Sequence, residues 1–351
     1  MPFFLPAPFE SSFSRPGYGN ASNVTGPSCK EWRVIIIRRD DGVADPRSWL
    51  AVSLLHLEWY SSLRQVHIDM SLGIAFKGPE GIVLAADSRV TLQAMTNTPQ
   101  GLQALPCTYD NATKLLRFTN HSHIGAVTYG VGAIGLQAPR TAHSFLPEFE
   151  DHLSKANGDS RLSVEDFAKS LSEFFRKQWS EAVPGAYTGP DMIFLVGGFD
   201  AVGPYGRVFQ ISIPSAPDPV EQSVGNQFGI TWGGQLEHTH RLLKGFDPGL
   251  PTKIQEFLKL SDEQRNALTS HLERELAVPV PYQFLPLQDC VDLSIFLIRT
   301  TMEIQNWIVG VRGVGGAIDV ATITRVDGFQ PVQLKAIRGQ RFADKGVGRN
   351  V

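Results

Sequence analysis

Cysteine is scarce. The chain has three in 351 residues, Cys29, Cys107 and Cys290, widely spaced and with no CxxC pair. Nothing points to a disulfide framework, and free thiols in a reducing, cytoplasmic compartment are the expectation. Long apolar runs are missing too. The best candidate, "WLAVSLLHLEWY" from Trp49 to Tyr60, is short and carries His56 and Glu58, whereas a bilayer span takes about 20 apolar residues. The opening "MPFFLPAPFESSFSRPGYGN" lacks the basic start and apolar run of a secretory signal. No charge of one sign dominates. A net charge of −3 gives no electrostatic case for nucleic acid or an anionic membrane as partner. Several catalytic signatures are absent: there is no HExxH, no G-x-S-x-G elbow, and no GK[ST] after "GPEG". His121 and His123, like His238 and His240, lie two apart with no Cys or acid at a ligand spacing. Neither a metal nor a cofactor is therefore expected.

What is present is a chain able to bury a core, 42% hydrophobic and 19% charged. Residues 1–69 differ in texture from the rest. They are rich in Pro, Ser and Gly, hold three of the six tryptophans, and show no sustained period. A propeptide, a small extra subdomain and upstream sequence absent from the mature protein are all compatible with them. From Met70 the pattern sharpens. "LGIAFKG" and "GIVLAADSRV" are apolar runs joined by a "GPEG" turn. The next stretch reads as a polar loop and then a short strand through Lys114, followed by a strand in "HIGAVTYGVGAIG". Helices are expected over 137–156 and 164–182, the second opened by Ser163 with Asp166. "DMIFLVGGFDAVGPYGRVFQISI" reads as a hairpin and "QFGITWGG" as one more strand. Residues 236–276 are helical and polar, with a capping box at Ser261–Gln264. "DCVDLSIFLIRTTMEIQNWI" is an apolar helix, "GVRGVGGAIDVATITRVDG" a glycine turn and strand, and 336–351 a polar tail. Strands, helices, strands, helices and strands in this order suggest two sheets between helix layers.

Gly130, Gly132 and Gly135 spell GxGxxG, but no parallel strand with a terminal acid follows. A close backbone approach at a strand end is the better reading. Asp87 stands where an apolar strand leaves the core, as a strand-end cap with Arg89 for partner. Lys114 sits in an apolar run, where a lysine ordinarily snorkels outward. Ser71 opens the first strand. Each residue is ordinary alone, and the three gain meaning as a set. A chain beginning at Ser71 carries a hydroxyl and an α-amine on one residue, a weak nucleophile with its own base.

From Ser71 to about Val326 the sequence resembles β-type proteasome subunits and their bacterial relatives, the N-terminal-nucleophile hydrolases. "SLGIAFKGPEGIVLAADSRV", "TKLL", "GAVTYGVGA", "FLVGGFD", "WGG" and "GVGGAIDVATI" carry the resemblance, "GIVLAADSR" most specifically. It implies an α+β fold, a four-layer αββα sandwich, over residues 71–335. Residues 1–70 would be an extension, about 245–285 a helical insertion, and 336–351 a tail. It implies Ser71 as nucleophile in place of the usual threonine, Asp87 and Lys114 as its supporting pair, and Gly130 or Gly132 as oxyanion donor. An insertion of about ten residues within 93–109 displaces Lys114. The resemblance further implies an apolar substrate pocket of Val90, Ala112, Leu116 and Val127, a peptide or unfolded-protein substrate, and a homo-oligomeric assembly. The sequence departs from the family at "VRGVGG", where Val311 and Val314 stand near an expected Asp and Ser, and at Gly234, where a serine is expected. Asn306 or Arg312 would then compensate, or the chain would be a silent scaffold of the same fold. Met70 stands where self-processing members commonly have glycine.

Overall fold

β1 (Leu72–Lys77) and β2 (Ile82–Asp87) form the expected hairpin, with the Gly78 N–H donating to the Gly81 carbonyl at 2.9 Å across its turn. In this computed structural model residues 71–337 are described, apart from 100, 136–137, 159, 184–186 and 310. All of them fall within one unit, Val66–Val351. The expectations for residues 1–70, and for the tail beyond 337, lie outside the described residues.

Among the described residues, antiparallel sheets and six α-helices give an α+β fold. The first sheet has the order β10-β1-β2-β11-β12, with β10 at Gly229–Gly234, β11 at Ile318–Thr324 and β12 at Gly328–Gln333. The second runs β5-β6-β7-β8-β9: β5 is Leu115–Arg117, β6 Ile124–Gly130, β7 Met192–Gly198, β8 Arg207–Ile213 and β9 Ala216–Gln222. Successive side chains of a strand point to opposite faces, and both faces of β1 and β2 are buried. Leu72, Ile74 and Phe76 share a core with Val291, Leu297 and Ile298 of α6 (Leu287–Gln305) and Leu243 of α3 (Glu237–Lys244). Ala75, Ile82, Leu84 and Ala86 instead share a core with Leu115, Val127, Tyr129 and Leu195 of the second sheet. The outer face of that sheet, with Leu116, Phe194 and Phe209, packs on α1 (Leu146–Asn157) and α2 (Val164–Ala182) through Phe149, Phe167 and Phe175. Two-sided burial explains why these strands read as apolar runs rather than as alternating patterns.

Several expectations are corrected. The polar stretch after Arg89 is not a loop. It forms β3 (Val90–Thr98) and β4 (Gly101–Tyr109), a ribbon that is a sheet of its own. The strand expected through Lys114 begins one residue later, at Leu115. The helix expected from 137 begins at Leu146, after a 3₁₀ turn over Ala142–Phe145. Its first turn carries Pro147, which needs no amide donor there. β9 and β12 are strands on which the sequence carries no expectation, and they contain Pro217, Pro219 and Pro331. Both are outer strands, where proline is tolerated.

Other expectations are met. Ser163 accepts from the Asp166 N–H at the start of α2. The helical region after 236 comprises α3, α4 (Leu250–Leu258) and α5 (Asp262–Leu276). The last opens on a capping box in which Ser261 and Gln264 bond reciprocally. No helix among the described residues is long and apolar enough to cross a membrane.

Candidate active site

The antiparallel register of β1 and β2 pairs Gly73 with Ala86, which sets Asp87 opposite Leu72, one residue after Ser71. The Leu72 N–H donates to Asp87 Oδ1 at 2.9 Å. Lys114 comes from the other sheet, just before β5. Its Nζ donates to Ser71 Oγ at 2.7 Å and to Asp87 Oδ1 at 2.6 Å. All three residues are buried: Ser71 is 3% exposed, Asp87 1% and Lys114 5%. The lysine therefore does not snorkel outward. It crosses between the sheets to a hydroxyl and a carboxylate.

Asp87 is held by more than the lysine. Its Oδ2 accepts from the Gly315 N–H at 2.9 Å and the Arg89 N–H at 3.1 Å. A carboxylate with three backbone donors and one ammonium has little freedom to rotate, so it fixes the lysine. The Arg89 guanidinium does not pair with it, contrary to expectation. It takes Asp110 bidentately, at 2.6 and 2.9 Å, and donates to the Arg312 carbonyl at 3.1 Å. The glycine pair Gly315–Gly316 has a steric reason here. A Cβ on Gly315 would overlap the Arg89 guanidinium, and Gly316 has a φ of 75° with the Asp110 carbonyl against its α-carbon.

Burial pushes the Lys114 pKa below its ordinary 10.5, since an ammonium loses hydration there. The Asp87 charge and hydrogen bond oppose the shift, and Lys335 and Arg89 add to it.

Ser71 has a φ of 91°, rare for a residue with a side chain. Its N–H donates to the Gly313 carbonyl at 2.9 Å, and its own carbonyl accepts from the Gln235 N–H at 2.8 Å. The compensating residues expected at Asn306 and Arg312 do not take that nitrogen. Both are exposed, and the Arg312 side chain reaches the Asn306 carbonyl. The groups that hold the Ser71 amide and carbonyl are themselves backbone, which leaves no side-chain signature in a sequence. Gly234 replaces the expected serine for a visible reason. It has a φ of 95°, and a Cβ there would overlap the Ser71 carbonyl oxygen.

Gly130 ends β6 with a φ of 80°, where a Cβ would overlap the Asp191 carbonyl. The Val131 N–H donates to Asp191 at 3.0 Å, on the β7 side, while the Thr128 N–H donates to the Lys114 carbonyl at 3.0 Å. Strand alternation sets the Gly130 N–H on the Lys114 side, beyond the first residue of β5. Gly132 packs its α-carbon against Val90. The GxGxxG string is thus a set of close backbone approaches.

A concavity over Ser71 is lined by Val90, Ala112, Lys114, Thr128, Gly130 and Gly132. Of the four expected pocket residues, Val90 and Ala112 are there. Leu116 lies in the core under α1 and α2, and Val127 in the core between the sheets. Thr128 was missed by one position. With Gly130 facing the site, the strand period of two selects Thr128 and turns Val127 away. The Thr128 hydroxyl is buried with no hydrogen-bond partner among the described residues.

His121 and His123 stack edge-on, and His123 Nε2 meets the Leu162 carbonyl at 3.0 Å. Among the described residues no three His, Cys, Asp or Glu side chains form a group suited to a metal ion. Cys107 and Cys290 are free thiols.

No family model matches this chain, and no curated protein matches it. Among solved structures, an Anbu (Gly-1) mutant from Hyphomicrobium sp. strain MC1 is distantly similar, at 16% identity and a TM-score of 0.43, over 75% of this chain and 85% of that one.

Proposed function

We propose that this chain is an N-terminal-nucleophile hydrolase of the proteasome β type, built as a four-layer αββα sandwich, that cuts amide bonds of peptides or unfolded chains with Ser71. One observation carries the reading: a buried lysine donates at once to the Ser71 hydroxyl and to the Asp87 carboxylate. Burying a lysine is costly, and a fold that needed only packing has better-suited side chains.

In this reading the Met70–Ser71 bond is opened, by self-cleavage or by removal of Met70 as initiator. The freed α-amine keeps the Gly313 carbonyl as its acceptor, and the left-handed backbone at Ser71 is relieved of a cost of about 1–2 kcal/mol. The amine takes the Oγ proton as Oγ attacks the substrate carbonyl. Lys114 stabilises the alkoxide that develops, and the Gly130 N–H receives the oxyanion. One such donor is worth about 3 kcal/mol. The proton then passes to the leaving amine, and water hydrolyses the acyl-enzyme. The Thr128 hydroxyl, with no partner among the described residues, adds a polar point to the pocket wall beside Val90 and Ala112. Residues 1–70 are then removed or upstream sequence, 245–285 an added helical element, and the working form a cytoplasmic homo-oligomer.

The rival reading, a silent scaffold, draws on Val311 and Val314 standing near the family's Asp and Ser. Ser71→Ala separates the two. It abolishes turnover of small hydrophobic amide substrates while leaving assembly intact, and equal turnover by the variant contradicts the mechanism.

A further inference from the structure

The buried face of α6 recurs at helical spacing through Cys290, Ser294, Leu297, Ile298, Thr301 and Gln305. Ser294 and Thr301 spend their hydroxyls on carbonyls of their own helix, at 2.8 and 2.9 Å. Gln305, the last residue of the helix, reaches out of it instead. Its Oε1 accepts from the Val314 N–H at 3.0 Å. Gln305 is 1% exposed, and its Nε2 is buried with no hydrogen-bond partner among the described residues. A buried donor left unpaired costs stability, so packing alone does not account for a glutamine at this place. The Val314 N–H and the Gly313 carbonyl belong to one peptide group, and that carbonyl accepts from the Ser71 N–H at 2.9 Å. A trans peptide is planar, with its N–H and C=O pointing opposite ways. Gln305 thus holds one end of the peptide unit whose other end holds Ser71. The next unit carries the Gly315 N–H, which donates to Asp87 Oδ2 at 2.9 Å, and the Gly315 carbonyl accepts from the Ser88 N–H at 3.0 Å. The Val314 side chain is committed to the core with Leu72 and Leu243.

We propose that Gln305 is a positioning residue for the Ser71 nitrogen: by fixing the Gly313–Val314 peptide unit, it aims the carbonyl that receives the α-amine. The amine spends one N–H on that carbonyl and keeps its lone pair toward Oγ. A tilted peptide unit turns the lone pair away and shifts the Asp87 support at Gly315 with it. Hydrogen bonds in series also polarise one another, so an acceptor on the Val314 N–H makes the Gly313 carbonyl the stronger acceptor for the amine. A glutamine does this without adding a charge. The inference rests on the proposed hydrolase reading and adds what orients its base.

The test compares three variants of the full chain on a small hydrophobic amide substrate. Gln305→Met keeps the volume and removes the acceptor. It should lower kcat about 10²-fold, the scale of a small misplacement, with KM within about twofold. Gln305→Glu keeps an acceptor oxygen at the same reach and should bring kcat back to within about tenfold of the unsubstituted protein. Ile298→Ala empties a buried position on the same helix face, so it should lower the urea midpoint and keep kcat. Unchanged kcat in Gln305→Met, a loss matched by Ile298→Ala, or no recovery in Gln305→Glu overturns the proposal. If Gln305→Met does not fold, Gln305→Asn, one methylene too short to reach, takes its place with the same expectations. If the unsubstituted protein turns over no amide, the hydrolase reading falls, and hydrogen exchange at the Gly315 and Ser88 amides tests Gln305 by itself. Exchange about tenfold faster in Gln305→Met than in Ile298→Ala is expected, and equal exchange overturns the positioning role.

Discussion

Lys114 donates to Ser71 Oγ and Asp87 Oδ1 at 2.7 and 2.6 Å from a site almost closed to water. Removing the lysine alone leaves the Asp87 carboxylate buried without its counter-ion. Lys114→Met should lower stability by about 3–5 kcal/mol and cut turnover by about 10²–10⁴. Adding Asp87→Asn removes the orphaned charge, so the double variant should regain stability without regaining activity. Urea midpoints and kcat/KM on a hydrophobic amide substrate measure both. Recovery of activity along with stability would make the pair structural.

The pH profile follows from the same contact. In the proposed mechanism the α-amine of Ser71 must be neutral to accept a proton. A free amine titrates at about 7.7–8.0, and a neighbouring ammonium lowers it. Lys114 must be charged, and burial sets its pKa below 10.5. The rate should rise as the amine loses its proton and fall again below the ordinary lysine value. In Lys114→Arg the alkaline fall should disappear, since arginine keeps its charge. An alkaline limb that persists in that variant contradicts the assignment.

Gly234 supports Ser71 from the neighbouring strand with a φ of 95°. Gly234→Ala sets a methyl into the Ser71 carbonyl and strains the backbone, at a cost of order 1–3 kcal/mol. The loss of kcat should exceed what the stability change explains, because the displaced group is the proposed nucleophile. Proportionate losses in urea midpoint and kcat would remove Gly234 from any positioning role.

The histidine cluster beside Phe167 predicts an acid-labile core. Burial lowers His121 and His123 below 6.5, opposed by Glu150 at His121 and by the Leu162 hydrogen bond and Asp200 at His123, where Arg161 adds to the lowering. The unfolded chain therefore binds more protons as pH drops below 6.5. Their contribution is complete above that value and is lost as pH falls through the folded pKa values. His121→Phe keeps a ring against Phe167 and should flatten the acid side of a plot of urea midpoint against pH. An unchanged slope there would show that His121 plays no part.

The sequence made legible the parts whose signal is local or apolar. Two-sided burial wrote β1 and β2 as apolar runs, and Ser163 and Ser261 announced their helices by capping. Ser71, Asp87 and Lys114 were found as a set through resemblance, and the structure brings them within hydrogen-bond reach. The ribbon escaped notice because Pro99, Gly101 and the polar residues around them read as a loop. β9 and β12 escaped because their prolines are permitted only by outer positions, which a sequence does not show. Gly313 and Gln235 hold Ser71 through backbone groups, which any residue carries. Thr128 was within reach, since the strand period alone places it with Gly130.

The central claim is that Ser71 is a chain end. It is tested most directly by the intact mass of the purified, active protein. The account predicts a chain that begins at Ser71, with a free α-amine beside the Lys114-bound hydroxyl. Hydrolytic activity from a chain that keeps its Met70–Ser71 bond would contradict it, because the proposed base would then be an amide.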